Sequence, residues 1–271
     1  MKLQGKIALV LGGAKGIGKA VGFALAKAGA TVVLTHHDWP EDAAVMQAEL
    51  AALGNDHLAI KVDLRDPAAV QELLSTLRAR YGGLHILINN IERGGMPIVH
   101  GPYTPEQWEL EMATTLRAKW WVMRFALPLL RENAEGAVIT LSSIAGIVGR
   151  SGPAGLIFND GYSAANRAVS SFTETWAREG APAVRVNELM LGIFETRHGE
   201  QTRGWDLLSA EQQGAIREHI LLQRTGRIEE IVAAVFFLLR DATYMTGAVL
   251  RMDGGYVLGG EKIPPMPSGV E

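Results

Sequence analysis

The sequence predicts an α/β domain of the doubly wound type, a parallel sheet covered by helices on both faces. Three observations predict it. Short β-branched runs alternate with longer segments of helical periodicity from the first residues onward. Those runs are apolar at consecutive positions, as in strands buried on both faces. The first run leads straight into a glycine-rich turn that opens a helix. A chain of 271 residues can bury one large core without dividing, so a single domain is expected.

Taken in order, strands are expected at 6–11 (KIALVL), 31–36 (TVVLTH), 57–63 (HLAIKVD), 85–90 (HILINN), 136–143 (GAVITLSS) and 184–191 (VRVNELML). Helical spacing of apolar residues fills 16–28, 41–53, 67–81, 105–131 and 161–178. Strand and helix repeated in this order imply parallel neighbours joined by crossovers. The segment 193–227 is long, polar and opened by Gly192, as expected of a substrate lid inserted after a strand. The stretch 259–271 contains three prolines and reads as a loosely packed or subunit-crossing arm.

Composition narrows the function. A net charge of -3 with 20% charged residues provides no broad basic field, so neither nucleic acid nor an anionic membrane is an expected partner. The chain has no cysteine, which excludes disulfides, thiolate metal sites and a thiol nucleophile, and suits the cytoplasm. The opening MKLQGKIALVLGG carries too short an apolar run for a signal peptide, so no cleavage is expected. The apolar run at 231–239 is far short of the ~20 residues that span a bilayer. No histidine spacing suits a metal, and none is expected.

The turn LGGAKGIG joins the first strand to the first helix. Gly12 makes the tight turn, Gly16 clears the approach of a pyrophosphate, and Gly18 lets the helix pack close to the sheet. A ligand-free βα turn would use the same residues, but a turn heading a doubly wound pattern favours a dinucleotide. The second strand ends in Thr35, His36 and His37 rather than an acid, with Lys15 in the glycine turn. That favours NADP(H) over NAD(H), Asp38 being the neighbour that could still serve a ribose.

These residues resemble the short-chain dehydrogenase/reductase family almost end to end, which implies a Rossmann-type three-layer sandwich. LGGAKGIG at 11–18 is similar to the family's TGxxxGxG turn, and VDLRD at 62–66 to the segment whose Asp63 contacts adenine. NNIE at 89–92 resembles NNAG, LSSIAG at 141–146 the serine strand, and YSAAN at 162–166 the YxxxK motif. VNELMLG with Thr196 resembles VNxxxPG and the threonine that holds the nicotinamide, and 224–255 the C-terminal signature. The resemblance implies cofactor contacts at Gly12, Lys15, Gly16, Ile17, Gly18, His36, His37, Asp63, Leu64, Asn90, Gly192, Ile193 and Thr196.

The departures fall on chemistry. Leu11 replaces the threonine of the turn, Glu92 the last glycine of NNAG, and Leu191 the proline of PG. Thr115 falls at the family's helix asparagine, and Asn166 takes the lysine position. Of the implied catalytic set Ser143 and Tyr162 remain. In the implied mechanism the tyrosine exchanges a proton with the substrate oxygen while hydride passes to or from the carbonyl carbon. Free tyrosine has a pKa of about 10, and a nearby cation lowers it by one or more units, each about 1.4 kcal/mol. Losing the lysine should therefore cost about ten- to a thousand-fold where tyrosinate limits the rate, and less in the reductive direction.

Lys119 lies four residues after Thr115 and so shares its helix face. It either reaches the ribose or the tyrosine from that opposite helix, or snorkels to solvent beside Trp120 and Trp121. Arg167 points about 100° away from Asn166 and is expected to be structural or at a subunit contact. The interval between Ser143 and Tyr162 holds GRSGPAGLIFNDG, an insertion expected to reshape the pocket or to displace the tyrosine. Glu92 is expected to repel cofactor phosphates unless Arg93 pairs with it.

Two functions compete at this level. One is an NADP(H)-preferring reductase of a carbonyl or activated double bond in a small molecule, with Tyr162 as proton donor and Ser143 orienting the substrate. The other is a protein of the same fold that binds a dinucleotide or other ligand as a sensor or structural subunit. Acid–base chemistry without redox, such as a dehydration, is a third. Trp108, Trp120, Trp121, Phe172 and Trp176 on the helical segments 105–131 and 161–178 predict a homotetramer or homodimer.

Overall fold

A computed structural model of the chain describes residues 1–54, 56–92, 103–133, 135–196 and 205–259. Seven parallel strands form one sheet in the order β3-β2-β1-β4-β5-β6-β7. They are β1 Ile7–Val10, β2 Thr31–His36, β3 Leu58–Lys61, β4 Ile86–Asn89, β5 Gly136–Ser143, β6 Val184–Leu191 and β7 Val249–Met252. All eight residues of β5 are buried, which is why its sequence shows a continuous run rather than alternation. Ile7 lies opposite Thr31 on β2, Ala8 opposite Ile86 on β4, and β5 pairs with β6 from Gly136–Val184 to Ser143–Leu191.

The helices are α1 Gly16–Lys27, α2 Pro40–Ala52, α3 Pro67–Tyr81, α4 Pro105–Glu111, α5 Ala118–Arg131, α6 Ala145–Val148, α7 Asp160–Gly180, α8 Ala210–His219 and α9 Ile228–Arg240. Val21 and Leu25 of α1 pack with Val235 and Leu238 of α9 on one face of the sheet. Leu73 and Leu77 of α3, Val122 and Leu130 of α5 and Trp176 of α7 cover the other. Local signals set the ends: Asp66 accepts the Ala68 N–H ahead of Pro67, and Gly82, at φ 77, closes α3.

The strand order reverses at β1, whose neighbours are β2 and β4. Chains leaving β1 and β4 diverge to opposite faces there, opening a crevice at the carboxyl ends of the strands. The single helix expected at 105–131 is interrupted by a π-helical segment, Met112–Arg117, between α4 and α5. Such a segment adds a residue per turn and rotates the side chains that follow it.

The lid segment 193–227 contains a short 3₁₀ turn at Trp205–Leu207 and the helix α8, which a Ser209–Gln212 capping box starts. Its residues 197–204, Arg93 and the arm beyond Gly259 lie outside the described residues. Among the described residues no helix is long and apolar enough to cross a membrane, and none group as a metal site.

Candidate active site

A cavity of about 640 Å³ opens at the carboxyl edge where β1, β2 and β4 meet. Gly12, Lys15, Gly16 and Ile17 line its floor, His36, His37, Asp63 and Leu64 one end, and Asn90, Glu92 and Thr196 the other. The turn has the shape a dinucleotide needs. Gly16 sits at φ 57, and a Cβ there would meet nothing within 4 Å, so the space ahead of it is clear. A Cβ on Gly18 would lie 2.2 Å from the Gly12 carbonyl oxygen, so only glycine permits that approach. No side chain caps α1, which leaves its first amides and the positive end of its dipole turned toward the cavity.

Three of the expected cofactor positions stand behind this wall. Gly18 packs against the turn, Gly192 against Asp253, and the Ile193 side chain is buried among the apolar residues under the lid. At the end of β2, Thr35 is committed to the turn: its hydroxyl accepts the Gly12 N–H at 3.2 Å and its carbonyl the Gly13 N–H at 2.7 Å. His36 lies 3.2 Å from Gln47 Nε2, and burial, with Lys61 and His37 nearby, lowers its pKa. It is therefore neutral near pH 7 and offers a hydrogen bond rather than charge. Asp63 is gripped by Arg65 through Nε at 2.8 Å and Nη2 at 2.6 Å, which holds its carboxyl below the usual range. Arg65, unread in the sequence, thus brings a second cation to the cleft beside Lys15.

At the other end, β5 and α7 bring Ser143 and Tyr162 together. Asn159 caps α7 by accepting the Tyr162 N–H at 2.7 Å, fixing the tyrosine in the first turn. The Ser143 hydroxyl acts on the Tyr162 phenol, favouring its charged form, and accepts the Ala145 N–H at 3.1 Å. The insertion does not displace the tyrosine. It forms a 3₁₀ turn, Pro153–Leu156, whose Ala154 N–H is held by the Tyr256 hydroxyl at 2.7 Å, and it packs Ile157 and Phe158 under the lid. Tyr162 is 2% exposed, and burial followed by the Glu92 charge pushes its pKa well above 10. The phenol is therefore protonated at neutral pH.

Asn166 does not reach toward the cleft. It is fully buried, its Oδ1 accepting the Ser143 N–H and its Nδ2 donating to the Tyr162 carbonyl oxygen. Glu92 lies against the tyrosine: its carboxylate accepts the Tyr162 O–H at 3.0 Å. It lines the cavity as well, so the phenol is one hydrogen bond from the dinucleotide cleft.

Lys119 overturns the snorkelling alternative. It is 0% exposed, because the face of α5 that carries it is turned inward while Trp120 and Trp121 are half-exposed. Burial lowers its pKa to about 8 against the opposing pull of Glu92, Glu188 and Glu111. Thr115 donates its hydroxyl to Glu111 at 2.6 Å, and Glu188 is bonded by Ser142 and by Ser170 at 3.2 Å. The sequence reading missed both acids. Their signals were present: Glu111, Thr115 and Lys119 recur every four residues on one face, and Glu188 stands directly ahead of the apolar run Leu189–Leu191 in a predicted strand. Arg167 is exposed, away from this cluster.

Known proteins share this arrangement of chain and fold. A family model described as enoyl-(acyl carrier protein) reductase matches residues 12–257. The 3-oxoacyl-(acyl-carrier-protein) reductase of Escherichia coli is 32% identical over 259 residues, covering 94% of this chain and 98% of the relative. A granaticin polyketide synthase putative ketoacyl reductase of Streptomyces violaceoruber is 34% identical, covering 93% of this chain and 96% of the relative. Among solved structures, a putative short-chain alcohol dehydrogenase of Sinorhizobium meliloti superposes with a TM-score of 0.81 at 28% identity, covering 94% of this chain and 98% of that one. A Serratia marcescens short-chain dehydrogenase/reductase variant gives 0.79, also at 28%, covering 95% of this chain and 100% of that one.

Proposed function

This chain belongs to the short-chain dehydrogenase/reductase family, and on that premise we propose that it reduces the ketone of a 3-oxoacyl thioester with NADPH. One observation carries the reading: Tyr162 is held protonated, with Ser143 at hand, one hydrogen bond from a cleft shaped for a dinucleotide. A protonated phenol is an acid, and reduction of a carbonyl needs an acid at the oxygen that accumulates negative charge.

The Gly12–Gly18 turn and the first amides of α1 would hold the pyrophosphate, and Thr196 the nicotinamide end. The nicotinamide supplies the hydride. Lys15 and Arg65 near the end of β2, without an acid on the strand itself, support a 2′-phosphate and hence NADPH over NADH. Ser143 holds the substrate oxygen against the phenol. Ile144, Phe158, Ile193 and Trp205 pack with Tyr162 as a buried apolar cluster. The thioester itself is argued from the two ketoacyl reductases that resemble the chain. Trp121 and Phe125 stack at 6.0 Å on the half-exposed side of α5, which supports assembly with further copies through that helix.

The test is NADPH consumption with acetoacetyl and longer 3-oxoacyl thioesters, run beside NADH. Turnover that is faster with NADPH supports the reading. Tight NADPH binding with no turnover of any thioester overturns it.

A further inference from the structure

The inward face of α5 carries a buried ammonium that nothing in the described protein grips. Lys119 Nζ has no hydrogen-bond partner among the described residues, although the side chain is fully enclosed. Three carboxylates face it from three different elements: Glu92 after β4, Glu188 on β6 and Glu111 on α4. Ser142 and Ser170 bond Glu188, and the Thr115 hydroxyl bonds Glu111. Glu92 is the acid joined to the phenol, through the 3.0 Å bond from the Tyr162 O–H. At position 166, where the family pattern has a lysine, both ends of the asparagine amide are spent on backbone.

A structural lysine in such a place would be locked in a salt bridge, since an enclosed charge without hydrogen bonds is costly. An unclamped one can move and can give up its proton. We propose, resting on the reductase reading, that Lys119 resupplies the proton of Tyr162 through Glu92, so that the cation missing from α7 acts from α5 instead.

The step balances. As the carbonyl carbon gains a hydride and its π bond breaks, the oxygen takes the phenolic proton. The tyrosinate takes a proton back through the Glu92 carboxylate, which receives one from the Lys119 ammonium once that unclamped side chain swings into contact with it. Phenol and carboxylate are restored, the ammonium has become an amine, and the amine recovers its proton from solvent. Burial brings the ammonium close enough to neutrality for this exchange, whereas an ordinary lysine would hold its proton about two units more firmly. Glu188, anchored on two serines, faces Lys119 but lacks the bond to the phenol that Glu92 makes.

The relay is tested on the whole protein in two ways. NMR of isotope-labelled lysine follows the Lys119 side chain against pH. Its midpoint is expected near 8 and to fall by about one unit in Glu92→Gln, which removes the foremost of the opposing charges. In the thioester assay, Lys119→Met is expected to lower kcat about ten- to a hundred-fold with KM within about two-fold, and to abolish the fall of kcat near pH 8.

Lys119→Arg separates relay from packing, because guanidinium keeps the charge but holds its proton throughout. It is expected to stay as slow as Lys119→Met. An arginine variant with wild-type kcat, or an alkaline limb that persists in the methionine variant, overturns the relay. So does a Lys119 midpoint unmoved by Glu92→Gln, a result available even if Lys119→Met does not fold. Failure of the wild type to reduce any thioester overturns the reductase reading by itself, and the titration then decides whether Lys119 and Glu92 are coupled.

Discussion

Asn166 accepts the backbone N–H of Ser143 at 3.0 Å. The same amide donates to the Tyr162 carbonyl oxygen at 3.0 Å, so one side chain ties the end of β5 to the first turn of α7. A lysine could donate to that carbonyl but could accept nothing from Ser143. Gly146 reinforces the tie, since a Cβ there would come within 2.8 Å of the backbone at 166 and 167. The asparagine thus sets the spacing of the serine and tyrosine rather than their charge.

Replacing Asn166 with alanine should therefore destabilise the protein. The buried Ser143 N–H would be left unpaired, at a cost of about 1–3 kcal/mol. Urea unfolding measures it directly. Asn166→Lys is expected to lose stability in the same range and to lose activity, because an ammonium would be buried beside an unsatisfied amide. A lysine variant faster than wild type would contradict this role.

Tyr162→Phe removes the acid and little else. The ring shares its cluster with Phe158, 6.0 Å away between centroids, and phenylalanine preserves that contact. Turnover is expected to fall by about 10²–10⁴-fold. The cleft wall does not include Tyr162, so NADPH affinity measured by calorimetry should stay within about two-fold. A comparable loss of cofactor binding would mean that the phenol holds the nicotinamide rather than the substrate.

The proposed preference for NADPH draws on Lys15 together with Arg65. Lys15 Nζ lies 3.0 Å from Asp42 and 3.2 Å above the Trp39 ring, a position that keeps it at the adenine end of the cleft. Lys15→Ala should weaken NADPH about ten-fold and leave NADH within about two-fold, as expected for loss of one charge-assisted contact to a 2′-phosphate. Equal weakening of both cofactors would place the lysine at the shared pyrophosphate instead.

Six strands were legible because the strand runs are short, β-branched and almost unbroken in their apolar character. β7 was not, since its residues alternate between exposed and half-buried and the stretch is only four residues long. Helix α8 was also missed, although Ser209 and Gln212 carry the spacing of a capping box; a polar segment after Gly192 reads as loop when that signal is not sought. At the site, Ser143 and Tyr162 could be placed from their motifs. The direction of Lys119 could not, because it depends on the π segment at Met112–Arg117 and on acids contributed by the end of β4 and by β6. Periodicity reports which residues share a helix face, but the neighbours of that face come from elsewhere in the chain.

The buried ammonium also predicts a pH dependence of stability. Lys119 has a folded pKa of about 8 against an ordinary lysine value of 10.5. Below pH 8 both states carry the proton, and the folded state bears the full cost of burying the charge. Between pH 8 and 10.5 the unfolded chain holds a proton that the folded one has released, so this group's contribution rises with pH. Two units correspond to about 3 kcal/mol. Comparing wild type with Lys119→Met isolates the effect, since groups such as Tyr162 are common to both. The difference in unfolding free energy should therefore shift by about 2–3 kcal/mol in favour of the wild type from pH 8 to pH 10. Parallel urea curves over that range measure it. A flat difference would mean that Lys119 keeps its proton throughout, as an ammonium closely paired with Glu92 would.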